Sequence, residues 1–546
     1  MSEKKQLLSK IKYLERGINM KKSKLFVSLF LVISLVLSVF TACSKSEPDT
    51  KDSTSQTSTT PEETSSTSTS TESSEQSSTD EITEIQIMLQ DLRGVAGKAQ
   101  PVVDEINKLT EKEIGVTAKV TWVGNADYAT QLSLAISSNE PYDLVMINPI
   151  PDSNFTTLTG NQQLMDITDL LNEYAKETLD LVSKYIGAYT IEGKIYGVPA
   201  YRNYSSSVYI IMRKDILEQI GMVEKAQNIK SWTEFEEILA AVAEKTDIAP
   251  IAGNKNISYQ PGMIFNIDNF SDTILFDNLG DSLNVIYVDE NNKVKSLTEV
   301  FKPQIERMKK WYDNGWVYRD SIITDDHVDT LMKAGVTFSS IQTSELGVET
   351  SKKEATGYDV VCVEVSPNLV ASNFVNKFGL SVPVTADEPE AGVKWINELY
   401  TNPDMENLLV WGVEGVDYVL VDGEADYPEG VDANSVRYHT ADFLYGNYFN
   451  AHPWKGNGAD FRQRAKQALD AAPVSPYLGF AADTSSLSNI IASITAVRDQ
   501  YSGQVLCGAW DDKVYNDYVQ ALKDAGLEEY MAEFQRQLDD WISKNK

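Results

Sequence analysis

The chain has 546 residues, 48 Lys+Arg against 80 Asp+Glu for a formal net charge of −32, and 42% hydrophobic residues. Length and apolar content suit two or more domains with real cores, while the acid excess disfavours nucleic-acid binding, which needs clustered Lys and Arg. Three cysteines, at positions 43, 362 and 507, make neither a CxxC pair nor a disulfide framework, so bridged secreted scaffolds and zinc ribbons are excluded.

Positive charge is concentrated at the start. Residues 1–42 hold 8 Lys+Arg and 2 Asp+Glu, leaving 40 against 78 in the remainder. Lys21, Lys22 and Lys24 precede an apolar stretch from Leu25 to Phe40 interrupted only by serines, and Thr41-Ala42-Cys43 closes it with small residues. This is the order of a targeting signal, and it resembles the signal peptide and lipobox of a bacterial lipoprotein, with Met1 or Met20 as its start. The resemblance implies that Cys43 is diacylated and becomes the mature N-terminus; Phe40 departs from the aliphatic residue usual in such boxes. The alternative is an uncleaved anchor, because Leu25 to Ala42 approaches the roughly 18 apolar residues that a membrane span requires. Either way the bulk of the chain is expected on the extracellular face, tethered to the membrane.

Ser44 to Asp80 contains 23 Ser or Thr in 37 residues and no aliphatic or aromatic side chain, so nothing there offsets chain entropy. A flexible tether with a typical span of about 35 Å is expected. From Glu81 the pattern changes. Ile85, Ile87 and Leu89 alternate as in a strand, and Pro101 opens a helix with Val102, Val103, Ile106 and Leu109 on one face. Val116 to Val123 reads as a second strand, Tyr128 to Ile136 as a helix, and Leu144 to Ile147 as a short buried strand. Such alternation predicts βαβ units and a mainly parallel sheet, whose ligands bind beyond the carboxyl ends of the strands. That selects Arg93, Asp127, Tyr128 and Asn148 as candidate binding residues. Further on, Gly193 sits in a hairpin turn between Thr190-Ile191 and Ile195-Tyr196. Ser231 and Glu234 make a capping box before Phe235, Ile238, Leu239 and Val242. Asp289 to Lys293 reads as a surface turn lacking the Gly and Glu of a calcium loop.

Longer phrases carry a family likeness. Asp127-Tyr128 before an amphipathic helix, Glu140-Pro141-Tyr142-Asp143-Leu144, Asp166-Ile167-Thr168-Asp169-Leu170-Leu171, Gly193 to Pro199 followed by Tyr209 to Asp215, Lys333-Ala334-Gly335-Val336, and Gly379-Leu380-Ser381-Val382-Pro383 before a long helix resemble the extracellular solute-binding proteins, family 1, of ABC sugar importers. Gly412 to Tyr418, the run Tyr445 to Phe449 and the closing helix through Trp541 resemble a larger oligosaccharide-binding lipoprotein subgroup with an extra C-terminal helical segment. The resemblance spans residues 81–546. It implies an α/β, two-lobed clamshell of the type II periplasmic-binding-protein kind. The expected division is a signal peptide at 1–42, a lipidated Cys43 and tether at 43–80, a first lobe at 81–200 plus about 376–425, a second lobe at 201–375, and a helical segment at 426–546 packing on the lobes.

An oligosaccharide cleft needs aromatic platforms and a few polar groups for the hydroxyl rim. Tyr201-Arg202-Asn203-Tyr204 supplies both just after the expected crossing, with a surface loop of packed tyrosines as the alternative. Trp411, Glu414 and Tyr418 flank a Gly-rich break, with Trp411 as ordinary core the competing reading. Tyr445, Asn447, Tyr448, His452 and Trp454 form the densest aromatic cluster, a lid or platform unless it serves interlobe packing. His327, His439 and His452 show no HExxH spacing, and GxSxG, P-loop and GxGxxG motifs are missing. No catalytic residue, metal or cofactor is therefore expected. The function implied is capture of an oligosaccharide without chemistry and its delivery to ABC permease subunits, by a monomer anchored to the membrane through lipid, with no nucleic-acid partner. A lipid-tethered glycoside hydrolase stands as the alternative, since 80 Asp+Glu could include a catalytic pair, as does a binding protein for a peptide or other small solute.

Overall fold

A computed structural model describes residues 82–204, 206–255, 268–367 and 369–545. The expected signal peptide, Cys43 and the Ser/Thr-rich tether lie outside the described residues.

The first sheet grows from runs that are apolar on both faces. Strands β1 (Thr83–Asp91), β2 (Val116–Gly124) and β3 (Leu144–Ile147) pair in parallel with β1 in the middle, and every residue of β3 is buried. Helices α1 (Gln100–Ile114) and α2 (Tyr128–Ser137) make the crossovers. Gly115 ends α1 at φ +68°, a left-handed conformation that glycine adopts without penalty. Two short strands reached later, β4 (Val198–Pro199) and β9 (Gly379–Ser381), complete the order β2-β1-β3-β9-β4, with β9 antiparallel to both neighbours. The alternation expected in β1 is incomplete, since Met88 and Gln90 are buried along with Ile87 and Leu89. A sheet covered on both faces has no solvent side to keep polar.

A second sheet contains β5 (Ser207–Arg213), β6 (Ala249–Ile251), β7 (Thr337–Ser344) and β8 (Val360–Pro367) in the order β8-β5-β7-β6. Strand β5 runs antiparallel to β7 and β8, while β6 is parallel to β7. Helix α3 (Trp232–Lys245) begins as predicted, the Ser231 hydroxyl accepting from Glu234 N at 3.2 Å. The return bond slips by one residue: the Glu234 carboxylate accepts from Lys230 N at 2.6 Å.

Each sheet heads its own hydrophobic core, giving two α/β lobes. A third core joins residues 279–305 to the last three helices, α8 (Ser488–Leu506), α9 (Asp512–Asp524) and α10 (Leu527–Asn545). Helix α4 (Thr298–Asp313) couples this core to the second lobe, giving Phe301 and Ile305 to one and Met308 and Trp311 to the other. The joint is also polar. Tyr530 Oη donates to buried Asp281 at 2.7 Å, and Gln535 bridges Asn292 O and Val294 N beside the Asp289 turn. Residues beyond 426 are thus divided, with Tyr438, Leu444, Tyr445 and Leu469 in the first-lobe core and Tyr477 to Leu538 in the third.

The connections between these bodies lie side by side. Ala200 N donates to Phe378 O at 3.0 Å, Tyr201 N to Gly446 O at 2.8 Å, and Val370 N to Pro473 O at 2.8 Å. These bonds tie the passages together at the edge of the first-lobe core, which includes Ala200, Tyr201, Val370 and Phe378.

Candidate functional site

Groups from both lobes converge on one floor beside these connections. Arg202, on the first passage and 7% exposed, donates Nη1 to Asn203 O and Nη2 to Phe374 O, each at 3.1 Å. Its Nη1 lies 3.6 Å from Glu345, which follows β7 in the second lobe. Glu345 is 47% exposed, yet protein surrounds it closely enough for desolvation to raise its carboxyl above the ordinary value. Arg202 and Glu345 therefore meet where the first passage faces the second lobe. Arg202, Lys377 and Arg462 oppose that shift, and Asp442 reinforces it. From the first-lobe side, Arg462 in α7 (Phe461–Ala471) donates to Asp442 at 2.7 Å and stacks its guanidinium 3.8 Å above the Tyr448 ring.

Beside this floor stands an aromatic rim. Trp411, ending α6 (Pro403–Trp411), lies 5.1 Å from Trp454 at a 32° tilt. Trp454 continues to His439 at 4.8 Å and to Tyr427 at 4.7 Å. Trp411 itself is buried and donates Nε1 to His452 O at 3.2 Å, whereas Trp454, Tyr427 and His439 remain half-buried. Tyr427 Oη and His439 Nδ1 share a hydrogen bond of 2.9 Å. Burial, helped by Arg93, pushes the His439 imidazole down to about 4, so it is neutral at neutral pH. The second lobe reaches this rim too, Thr350 donating to Gly456 O at 3.1 Å.

The residues selected from the sequence separate into two sets. Trp454 stands half-buried in the aromatic rim, with Arg93 beside Tyr427 and His439. Trp411 and Tyr418 are instead buried behind it in a small core with Val410 and Ala425, so the competing core reading holds for Trp411. Arg202 and Tyr448 belong to the floor. Glu414 and Asp127 are exposed loop residues, each beside its predicted neighbour in the chain. Others point inward. Tyr128 is fully buried, its hydroxyl donating to Met146 O and accepting from Met146 N, because the first turn of α2 packs this ring against β3. Asn148 is fully buried as the loop's internal brace, accepting from Ile150 N and Ser153 Oγ. Tyr204 donates to Ala200 O and Tyr445 to Gln90 O, both from within the first-lobe core. Tyr201 packs edge-on against Phe449, and Asn447 donates to Tyr400 O, tying the passages together. Asn203 is buried there as well. These buried rings offer no free face to a sugar in this arrangement.

Glu345, Asp442, Lys377, Tyr427 and His439 were not selected from the sequence. None belongs to a local motif, and their partners lie far along the chain, so only the acid and aromatic composition of those loops hinted at them.

A family model described as bacterial extracellular solute-binding protein matches residues 104–412, and one of a domain of unknown function matches residues 476–543. A carbohydrate ABC transporter substrate-binding protein of Streptococcus pneumoniae serotype 4 is 24% identical over 458 residues, covering 81% of this chain and 87% of that protein. The crystal structure of an N-glycan transport solute-binding protein from Streptococcus pneumoniae superposes with a TM-score of 0.70 at 21% identity, covering 85% of this chain and 100% of that one. The same protein in complex with Man1GlcNAc gives 0.58 at 22% identity over 84% and 99%. At such identities the structural likeness is one of fold.

Proposed function

Since this chain belongs to the bacterial extracellular solute-binding proteins, we propose that it is the substrate-binding component of an ABC importer, taking an oligosaccharide into the groove between its lobes. The observation that carries this reading is the pairing of a polar floor shared by Arg202, Glu345, Asp442 and Arg462 with an aromatic rim of Trp454, His439 and Tyr427. Flat rings take the apolar face of a pyranose, and charged groups satisfy its hydroxyls. Glu345 reaches the floor from one lobe and Asp442 from the other, so a ligand touching both draws the lobes together. The relatives that are carbohydrate or N-glycan transport binding proteins support the same reading. The closed form would dock on the permease subunits and release its sugar unaltered, and Cys43 would carry the lipid that keeps the protein at the membrane.

Two measurements test this. Calorimetric titration with a panel of oligosaccharides should find a ligand whose affinity falls when Glu345→Ala removes the cross-lobe contact, and chromatography after prolonged incubation should return that sugar intact. Shortened sugars would instead establish a hydrolase. Fatty-acid labelling in cells should mark the protein and be lost in Cys43→Ala.

A further inference from the structure

Resting on that reading, we propose that the captured glycan is acidic, and that a uronic acid carboxylate is received by a small pocket at the aromatic rim whose free cations are Arg93 and Lys98. The pocket is a cavity of about 90 Å³, lined among others by Arg93, Lys98, Tyr427, Asn434, Arg437 and His439. No carboxylate lines it. In a chain with 80 Asp+Glu against 48 Lys+Arg, a lining with three cations and no acid runs against composition. Asp426, Asp432 and Glu354 act on the Tyr427 hydroxyl from outside it, Asp426 paired with Lys455 and Asp432 accepting from the backbone of Asn434 and Ser435.

The cations are not equivalent. Arg437 is committed, its Nε donating to buried Asp417 at 2.8 Å. Arg93 and Lys98 are exposed, and neither has an ion pair among the described residues. The nearest acid along the chain is turned away from them: Asp91 accepts from the backbone N–H groups of Arg93, Gly94 and Ala96 at 2.7–2.9 Å, inside its own loop. The loop therefore spends its carboxylate on backbone and leaves its cations to solvent.

Size and surroundings favour a carboxylate carried on a sugar ring. A cavity of about 90 Å³ lined by Arg93, Lys98 and Asn434 has room for a carboxylate with water beside it. The ring would lie outside, where neutral His439 and half-buried Trp454 lie 4.8 Å apart and the Tyr427 hydroxyl is at hand. Arg93 and Asp442 both act electrostatically on His439, so the pocket and the floor share this ring as a neighbour. On the floor, Lys377 is another exposed lysine without an ion pair among the described residues, near enough to Arg202 and Glu345 to feel both.

The test is isothermal titration of the purified protein with tetramers of galacturonate, mannuronate and glucuronate, each beside its fully methyl-esterified form, with cellotetraose and mannotetraose as neutral controls. At least one acid should bind about tenfold or more tightly than its own ester, a preference that added salt erodes. In Arg93→Ala/Lys98→Ala that acid-to-ester ratio should collapse toward one. An ester equal to its acid, a neutral tetramer preferred to every acid, or a ratio unchanged in the double variant overturns the proposal and leaves oligosaccharide capture standing. Binding of no member of the panel, charged or neutral, removes the reading on which it rests. Where the double variant is poorly folded, the acid and ester comparison on the unmodified protein still decides whether the glycan is acidic. The single substitutions Arg93→Gln and Lys98→Gln, both at exposed positions, then decide the pocket: each should lower the ratio, and an unchanged ratio in both overturns it.

Discussion

Replacing Glu406 with glutamine should make the protein progressively more stable than its parent as pH rises. Glu406, on α6, is completely buried, with Oε2 accepting from Asn447 N at 3.2 Å and Oε1 without a partner among the described residues. The Gly446 backbone packs so closely that an added Cβ would come within 2.0 Å of Oε2. Burial pushes this carboxyl well above its ordinary 4.5; the Asn447 N–H and Arg462 oppose the shift, and Asp442 adds to it. The sign follows from linkage. The folded protein keeps a proton that the unfolded chain releases above about 4.5, so this contribution to stability is complete below that pH and declines above it by about 1.4 kcal/mol per pH unit until the folded carboxyl itself titrates. The amide of Glu406→Gln has no such proton to hold. Relative to its value at pH 4.5, the variant should therefore gain about 2 kcal/mol on the parent by pH 6. Any fixed cost of the amide's extra donor shifts the whole curve without altering its slope. Urea denaturation of both proteins across this range measures the difference. Parallel curves, or a parent that gains on the variant as pH rises, would refute a proton held at Glu406.

Other perturbations probe separate parts of the molecule. Tyr530→Phe removes the hydroxyl that donates to buried Asp281 at 2.7 Å, and should cost about 1–3 kcal/mol in urea denaturation; an unchanged midpoint would mean that α10 is not held by this bond. Trp454→Ala takes away the half-buried ring that contacts Trp411, His439 and Tyr427, and should weaken oligosaccharide binding about tenfold by calorimetry. Equal affinity would remove the rim as a sugar platform. Burial pushes the Cys507 thiol up to about 12 and the Cys362 thiol well above its ordinary value, so neither should react with a thiol reagent at pH 8 in the folded protein. Native protein made without lipidation should then titrate one thiol, that of Cys43, and acylated protein none.

The alternation of short apolar runs with amphipathic helices between Ile85 and Ile147 was enough to predict a parallel α/β sheet, because period and burial are local properties of a strand or helix. The same holds for the caps at Ser231 and the turn at Gly193, where the chemistry lies within a few residues. That Trp411, Tyr418 and Trp454 gather was legible, since aromatic residues near a Gly-rich break cluster locally, but not that Trp411 and Tyr418 would be buried and Trp454 left half-buried. Which rings would end inside was not legible. Tyr128, Tyr204 and Tyr445 carry the same side chain as Tyr427, and only the packing of α2 and of the three chain passages decides that the first three hydroxyls bond to buried carbonyls while the fourth faces His439. The floor is a purely tertiary product. Glu345, Lys377, Asp442, Arg202 and Arg462 come from distant segments, and each alone is an ordinary charged residue in an acidic chain. Charge becomes a site when folding removes water from around it and fixes its neighbours, and neither operation is encoded in the spacing of residues along the chain.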